Sequence, residues 1–232
     1  MSEWWTYTPS DLLLFSPRVY YRVIELHNLA VWPVHIGAAV LALLLVYFVV
    51  KPGRGSGRLA AVSLGATWVW VAWSFLWHRY AQINWAAAYL APMYALEGLL
   101  FIWVGWARGG LSFGLKRTPA SAAGLALLLV ALLGYPLIAP AVGRNWLAAE
   151  MFGVVPDPTA ATTLAILALS PARDRALLMV IPCLWCVVAG ATLWTMGSPD
   201  FVAAPLIGLT AMFVAVSRHR YEVHGRGRAQ PR

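Results

Sequence analysis

The chain has 232 residues, of which 61% are hydrophobic and only 11% are charged. Soluble domains carry about 25% charged residues, so this composition excludes an ordinary water-soluble fold and indicates a membrane protein. The net charge of +8 does not indicate a nucleic-acid partner, because the basic residues lie between apolar runs and in a C-terminal tail, without an aromatic-interleaved stripe.

The first 28 residues are too polar to span a membrane but too apolar and aromatic for an ordinary solvated segment. Ser10 or Asp11 is a suitable helix cap, and Pro17 either bends this helix or starts a new one. This segment mixes the apolar and aromatic residues Trp, Tyr, Phe and Leu with arginine and glutamate. We therefore predict that residues 1–28 form an amphipathic segment lying on the membrane interface.

The rest of the chain contains apolar runs, most of which approach the length of about 20 residues that a helix needs to cross a bilayer. Two of the later runs are shorter. The shortest, residues 158–170, corresponds to only about 20 Å of helix, whereas the hydrocarbon core is about 30 Å thick. Residues 29–217 therefore predict an all-α, polytopic bundle of about seven transmembrane helices, one of them short, followed by a basic tail at 218–232. The runs cover residues 29–50, 59–77, 86–107, 120–142, 158–170, 176–194 and 201–216.

The positions of lysine and arginine predict the orientation of the bundle. With seven crossings, 13 of the 17 basic residues fall on one side, which the positive-inside tendency makes the cytoplasmic side. We therefore expect an inner-membrane protein with its N-terminus outside and its C-terminus in the cytoplasm. A re-entrant segment at 158–170 would export the arginine-rich tail, so a short crossing is favoured. The tail is expected to bind anionic lipids.

Three stretches resemble a bacterial family of integral membrane proteins that is known only as a domain of unknown function. They are WWTYTPSDLLLFSPRVYYRVIELHN near the start, VPDPTAATTLAILAL in the short apolar run, and IPCLWC in a late helix. The similarity extends in order over most of the chain. Members of the family often carry a loose permease label. The resemblance implies a multi-pass membrane fold and assigns no activity or site.

One carboxylate, Glu97, lies near the middle of a predicted span. A charged side chain at that depth costs about 2.5–3.5 kcal/mol on insertion scales, so a role in proton coupling or cation binding is one interpretation. The alternative is a neutral glutamic acid that forms a hydrogen bond with Tyr94 one turn earlier or with a neighbouring helix. A solute or ion path would combine these two residues with polar groups at the outer ends of the helices, namely Asn84, Arg79 and Asp157.

The sequence Pro156-Asp157-Pro158 predicts a sharp helix start, with Asp157 as the cap and Pro158 in the first helical position. The N-terminus of such a short helix can direct its dipole at an anionic group of a substrate. Simple capping at a loop-to-helix junction is the alternative. It is favoured because the carboxylate of Asp157 would repel an anion.

Three histidines, His27, His35 and His78, map to the same predicted side and are candidate ligands of zinc or a similar metal. His35 and His78 are also candidate axial ligands of a haem. No His-x-x-His or His-Glu-x-x-His spacing supports either cofactor, so none is firmly predicted. Cys183 and Cys186 are either a relay for a soft metal or ordinary small residues within a helix.

Three functional hypotheses remain open on the sequence alone. The first is a small-solute permease coupled to protons or cations, the second a membrane-embedded metal or haem protein, and the third a non-catalytic scaffold. An enzyme is not expected, because no nucleophile–base motif, phosphate loop or zinc-protease helix is present. Both lysines, Lys51 and Lys116, lie in predicted loops, which excludes a retinal Schiff base inside the membrane. The oligomeric state is not indicated.

Overall fold

A computed structural model describes residues 13–109, 111–115, 118–171 and 174–227. Over these residues the ordered elements are helices and no strand occurs, which confirms the all-α prediction. The predictions for residues 1–12, Lys116, Arg117, Arg173 and the tail at 228–232 lie outside the described part. The helices are α1 (Pro17–Ala30), α2 (Val34–Val50), α3 (Ser56–Val71), α4 (Ala87–Ile102), α5 (Pro119–Leu129), α6 (Tyr135–Ala141), α7 (Pro156–Leu169), α8 (Arg175–Thr195) and α9 (Ala203–Gly227).

Three of these helices contain or continue into a π-helical turn. The turns are Ala72–Trp77 after α3, Trp103–Ala107 after α4, and Val130–Gly134 between α5 and α6. A π turn changes the direction in which the following side chains project, and such turns are frequent at functional sites. A 3₁₀ turn at Tyr80–Gln82 then connects the first of them to α4.

Four helical stretches are long and apolar enough to cross a membrane, or five if the bent pair α1 and α2 counts as one span. The four are Ser56–Gln82, Ala87–Ala107, Pro119–Ala141 and Arg175–Thr195. The described residues therefore do not support seven helices of spanning length. The apolar part of α9, Ala203–Arg218, is a shorter apolar helix, and the 14 residues of α7 fall below the spanning length.

The bundle has two ends, which we call upper and lower. At the upper end, where α3 leads into α4, Asn28 donates hydrogen bonds to the carbonyls of Leu147 and Ala149 at 2.7 and 2.9 Å. At the lower end, where α2 leads into α3, Ser170 donates to the carbonyl of Ser112 at 2.9 Å. Many side chains on the outside of the bundle are apolar and exposed, as lipid contact requires.

Helix α1 begins where its sequence predicts. Pro17 occupies the first turn, and the Oγ of Ser16 accepts a hydrogen bond from the backbone N–H of Val19. Of the two roles predicted for Pro17, the structure shows the start of a helix. This helix meets α2 at 90°, so it lies across the upper end of the bundle. Its location at a membrane interface remains a prediction.

Helices α3 and α4 pack closely because glycines face each other. A Cβ on Gly65 would lie 2.6 Å from the carbonyl oxygen of Gly98, and a Cβ on Gly98 would lie 2.6 Å from that of Gly65. Small residues of this kind let helix backbones approach in a bilayer, where packing rather than water exclusion holds helices together. The α3–α4 pair forms one wall around α7, which is buried along its whole length.

Candidate functional site

Helix α7 begins inside the bundle, below its upper surface. Tyr94, the eighth residue of α4, donates a hydrogen bond from its hydroxyl to the carbonyl of Pro156 at 2.8 Å. Trp185, the eleventh of the 21 residues of α8, donates from Nε1 to Oδ1 of Asp157 at 2.8 Å. The first turn of α7 is therefore level with the middle of α8. The segment 146–155 descends from the upper end to reach it.

The structure corrects the predicted cap of α7. The helix starts after Val155, so Pro156 and not Pro158 is in the first helical position, and the side chain of Asp157 forms no capping hydrogen bond. Its carboxylate is instead bound by the indole of Trp185. Thr159 satisfies groups of the preceding turn, since its Oγ1 accepts from the N–H of Gly153 at 3.0 Å and donates to the carbonyl of Val155 at 2.7 Å.

A cavity of about 250 Å³ extends from the upper end of the bundle down to Asp157. Its walls come from the start of α1, the turn between α3 and α4, and the second half of α8. Most of its lining is aromatic or aliphatic, and Asp157 lies at the first turn of α7. The lining residues are Leu13, Phe15, Tyr20, Phe75, Tyr80, Asn84, Trp85, Ala86, Leu90, Pro156, Asp157, Trp185, Val188, Ala189 and Thr192.

Four rings form a continuous side of this cavity, which we call the aromatic wall: Phe15, Tyr20, Phe75 and Tyr80. The centroid of Tyr80 lies 5.8 Å from both Phe15 and Tyr20 in edge-to-face contacts, and 6.1 Å from Phe75 in a stacked one. Such contacts stabilise aromatic clusters beyond simple burial. The π turn after α3 supplies Phe75, and the 3₁₀ turn supplies Tyr80.

A buried ion pair ties the upper loops together. Arg144 donates to both carboxylate oxygens of Asp200, at 3.2 and 2.6 Å, and its guanidinium lies 3.9 Å from the ring centroid of Tyr21. Ser198 donates to Asp200 at 2.5 Å and contacts the hydroxyl of Tyr21 at the same distance. Burial raises the pKa of Asp200, but the bonds from Arg144 and Ser198 outweigh it and hold that pKa below its usual value.

Glu150 is the third acid in this region and has a different electrostatic environment. Burial raises the pKa of Glu150 well above its usual value, and the negative charges of Asp157 and Asp200 raise it further, against a smaller opposing effect of Arg144. Burial and the neighbouring negative charges therefore favour the protonated form of Glu150. The positive charge of Arg144 is already paired with Asp200, which leaves Asp157 without a cationic partner among the described residues.

The predicted path residues are only partly brought together. Asn84 and Asp157 both line the cavity, and Tyr94 lies directly below it through its bond to Pro156. Arg79 is half-buried and is not among the lining residues. Glu97 lies one turn further along α4 than Tyr94 and is fully buried.

The carboxyl group of Glu97 lies in a different environment from the predicted one. Neither of its oxygens has a hydrogen-bond partner among the described residues, and its exposed fraction is 0%. The predicted hydrogen bond with Tyr94 is absent, because the hydroxyl of Tyr94 is bonded to Pro156 instead. A buried group without a partner costs stability, so another property must account for a glutamate at this position.

The histidines occupy three separate environments. Nε2 of His27 lies 3.2 Å from the carbonyl of Val154, and Nε2 of His35 lies 3.4 Å from the amide oxygen of Asn28. His78 is exposed and packs edge-on against Trp73. Over the described ranges no three His, Cys, Asp or Glu side chains are grouped to hold a metal, so the three histidines do not form the predicted ligand set. The pairing of His35 with His78 around a haem stays a prediction.

The cysteines are both free thiols in the structure. Cys186 is buried on α8 and faces α9, where a Cβ on Gly208 would meet its side chain at 3.4 Å. This position matches the alternative in which Cys186 is an ordinary small packing residue.

Sequence reasoning missed the aromatic wall and the Arg144–Asp200 pair. The wall joins the start of α1 to residues some 60 positions later, and no periodic pattern connects them. A signal did exist for Phe75 and Tyr80, since both lie in an aromatic-rich stretch at the end of an apolar run, but aromatic residues there are also typical of a membrane interface.

Comparison with known proteins gives one match. The model of a family described as Family of unknown function (DUF6064) matches residues 17–226. Curated proteins and solved structures gave no match. The matched range covers every helix from α1 to α8 and all but the last residue of α9. The chain therefore belongs to the DUF6064 family.

Proposed function

We propose that this protein is a multi-pass membrane permease that binds a small solute in the cavity above Asp157 and couples its movement to protons at Glu97. The observation that carries the proposal is the depth of α7. Its first turn lies level with the middle of α8 and lines a cavity that extends from the upper end. Helices that begin inside the bundle, with their N-termini at a central binding site, are a recurring device of membrane transporters.

The size of the cavity supports a small solute. Its volume of about 250 Å³ is below the range of about 300–1,000 Å³ that is typical of pockets for drug-sized ligands. Its mostly apolar lining with few polar groups is also typical of small-molecule sites rather than of open water-filled channels.

Polar groups lead from this cavity towards the centre of the bundle. Asp157 lines the cavity, Tyr94 bonds to the adjacent Pro156, and Glu97 lies one turn beyond Tyr94 on the same face of α4. A carboxyl group without a partner at such depth is by default a candidate for proton transfer or ion coupling. Glu97 is the group that we propose takes up and releases the proton.

For the orientation, we propose that the upper end faces outwards and that the C-terminus is cytoplasmic. The support is the distribution of Lys and Arg along the sequence, since 13 of the 17 lie in segments that the sequence predicts to be cytoplasmic. A C-terminal alkaline phosphatase fusion is expected to be inactive and a C-terminal green fluorescent protein fusion bright. Active phosphatase would reverse the orientation.

The transport proposal is tested by blocking the cavity. Ala189 lines it and is 5% exposed, whereas Val187, two residues earlier on α8, is 65% exposed on the outside of the bundle. Proteoliposomes containing the protein should take up at least one of three labelled probes, choline, acetate or glycerol, faster than empty liposomes. Ala189→Phe should abolish that uptake, and the matched control Val187→Phe should preserve it.

Two outcomes would contradict the proposal. One is the absence of uptake of all three probes by folded, correctly inserted protein. The other is uptake that Ala189→Phe and Val187→Phe reduce equally, because the solute would then not pass through this cavity.

A further inference from the structure

We propose that the solute recognised in the cavity is a small organic cation, of the class of amines and quaternary ammonium compounds. This inference rests on the proposed function for the role of the cavity and adds the chemistry of its ligand. Three independent features carry it: the sign of the charge at Asp157, the aromatic wall, and the lack of oxygen ligands for an inorganic ion.

The first feature is an anionic group without a counter-charge. Among the described lining residues Asp157 is the one charged side chain, and no arginine or lysine faces it there. Arg144, the cation of the upper loops, is bound through both terminal nitrogens by Asp200. A buried carboxylate is stable only when it is paired or strongly hydrogen-bonded, so a cationic ligand would complete the site.

Burial disfavours the ionised form of Asp157, and two features of its surroundings oppose that effect. Asp157 lies in the first turn of α7, where the helix dipole places partial positive charge. The indole N–H of Trp185 donates to one of its oxygens at 2.8 Å, which stabilises a carboxylate more than a neutral acid. An anionic solute would be repelled by a carboxylate at this position, which argues against the use of the α7 dipole for an anion.

The second feature is the number of aromatic rings that line the same cavity as Asp157. Besides the four rings of the aromatic wall, Trp85 and Trp185 line the cavity. The faces of aromatic rings are negative, and an organic cation within about 6 Å of a ring centroid is attracted by up to about 2 kcal/mol when it is desolvated. Several rings around one carboxylate are the arrangement by which proteins recognise quaternary ammonium groups.

The third feature separates an organic cation from a metal ion. Calcium needs six to eight oxygen ligands and magnesium an octahedral set, whereas most of this lining is aromatic or aliphatic. The lining residues whose side chains carry an oxygen atom able to bind a metal ion are Asp157, Asn84, Thr192 and the two tyrosines of the aromatic wall. These suffice to bind a hydroxyl or an N–H of an organic ligand, but they leave much of the surface apolar.

The experiment compares choline with its neutral isostere 3,3-dimethylbutan-1-ol, which has the same shape without the charge. Binding to the purified protein is measured by titration calorimetry at constant ionic strength. We expect choline to bind at least about tenfold more tightly than the isostere. Asp157→Asn should weaken choline binding by at least about tenfold and leave the isostere nearly unchanged, while the control Asp174→Asn, at the lower end, should alter neither.

A second variant keeps the test decisive if Asp157→Asn does not fold. Tyr80→Leu removes one ring of the wall without changing any charge and should weaken choline binding more than isostere binding. Equal affinity for choline and the isostere would overturn the cation inference but not the binding cavity. Uptake of acetate or glycerol into vesicles that Ala189→Phe blocks, together with no binding of choline, would also overturn the cation inference but not the binding cavity. If the vesicles take up none of the three labelled probes, choline, acetate and glycerol, the proposed function itself is contradicted.

Discussion

Replacement of Arg144 by methionine is expected to destabilise the protein by about 3–5 kcal/mol, the range found when one partner of a buried ion pair is removed. The substitution leaves the carboxylate of Asp200 buried without its two strongest hydrogen bonds. It also removes the cation that packs on the ring of Tyr21. The side chains of Arg144 and Asp200 are only 13% and 7% exposed, so water replaces little of what is lost.

An exposed ion pair in the same region is the control. Arg22 and Glu25 form a pair at 2.8 Å on α1, but the arginine side chain is 60% exposed. Arg22→Met should therefore change stability by less than about 1 kcal/mol. Chemical denaturation or thermal unfolding in one fixed detergent measures the change in stability of each variant. Equal effects of Arg144→Met and Arg22→Met would contradict the structural role of the buried pair.

The difference in stability between wild type and Arg144→Met should depend on pH in a definite direction. Because the pKa of Asp200 is lower in the folded protein than usual, the pair contributes fully above about pH 4, the ordinary aspartate pKa. Its contribution is lost as the pH falls through the lower folded-state pKa. The stability gap between wild type and Arg144→Met should therefore narrow on acidification below about pH 4. Pairing Arg144→Met with Asp200→Leu should recover most of the lost stability.

The second large effect is expected at Glu97, where stability and function should change in opposite directions. Glu97→Leu replaces a fully buried carboxyl group without hydrogen-bond partners by an apolar side chain of similar size. We expect a gain of about 1–3 kcal/mol, the cost of leaving a buried polar group unsatisfied. Solute-driven proton flux into proteoliposomes should be lost, because the side chain no longer carries a titratable group.

Thr162 provides a matched control for this experiment. Its Oγ1 is likewise without a hydrogen-bond partner among the described residues, and its exposed fraction is 0%, but it has no acidic proton. Thr162→Val should raise stability in the same direction and leave proton flux intact. A loss of stability in Glu97→Leu would show that Glu97 has a structural partner, and unchanged flux would remove it from the coupling mechanism.

The sequence predicted the helical class and most of the long apolar helices, because long apolar runs leave few alternatives to a helix. The same criterion is less informative for residues 158–170, which the sequence predicts to be a short crossing. In the structure this segment belongs to α7, which begins within the bundle and is completely buried by surrounding helices. Apolarity alone does not distinguish a helix in contact with lipid from one enclosed by protein, and this ambiguity inflated the count of spans.

The candidate site was predictable in its charges and not in its shape. Asp157 and Glu97 stood out because acids within apolar sequence are costly. The contacts that define their roles come from distant positions, such as Trp185 for Asp157 and Asp200 for Arg144. Pairings over such separations depend on how helices pack, which no local pattern encodes. The histidines illustrate the converse, since sharing one predicted side of the membrane did not bring them together.

The central claim is that the cavity above Asp157 holds a small organic cation, and locating a heavy-atom analogue of choline tests it most directly. A crystal soaked with a bromine-labelled quaternary ammonium compound should show one anomalous peak between the carboxylate of Asp157 and the rings of Tyr80 and Trp185. Displacement of the peak by excess choline would confirm specificity. A fully occupied peak elsewhere, or an empty cavity at saturating concentration, would contradict the account.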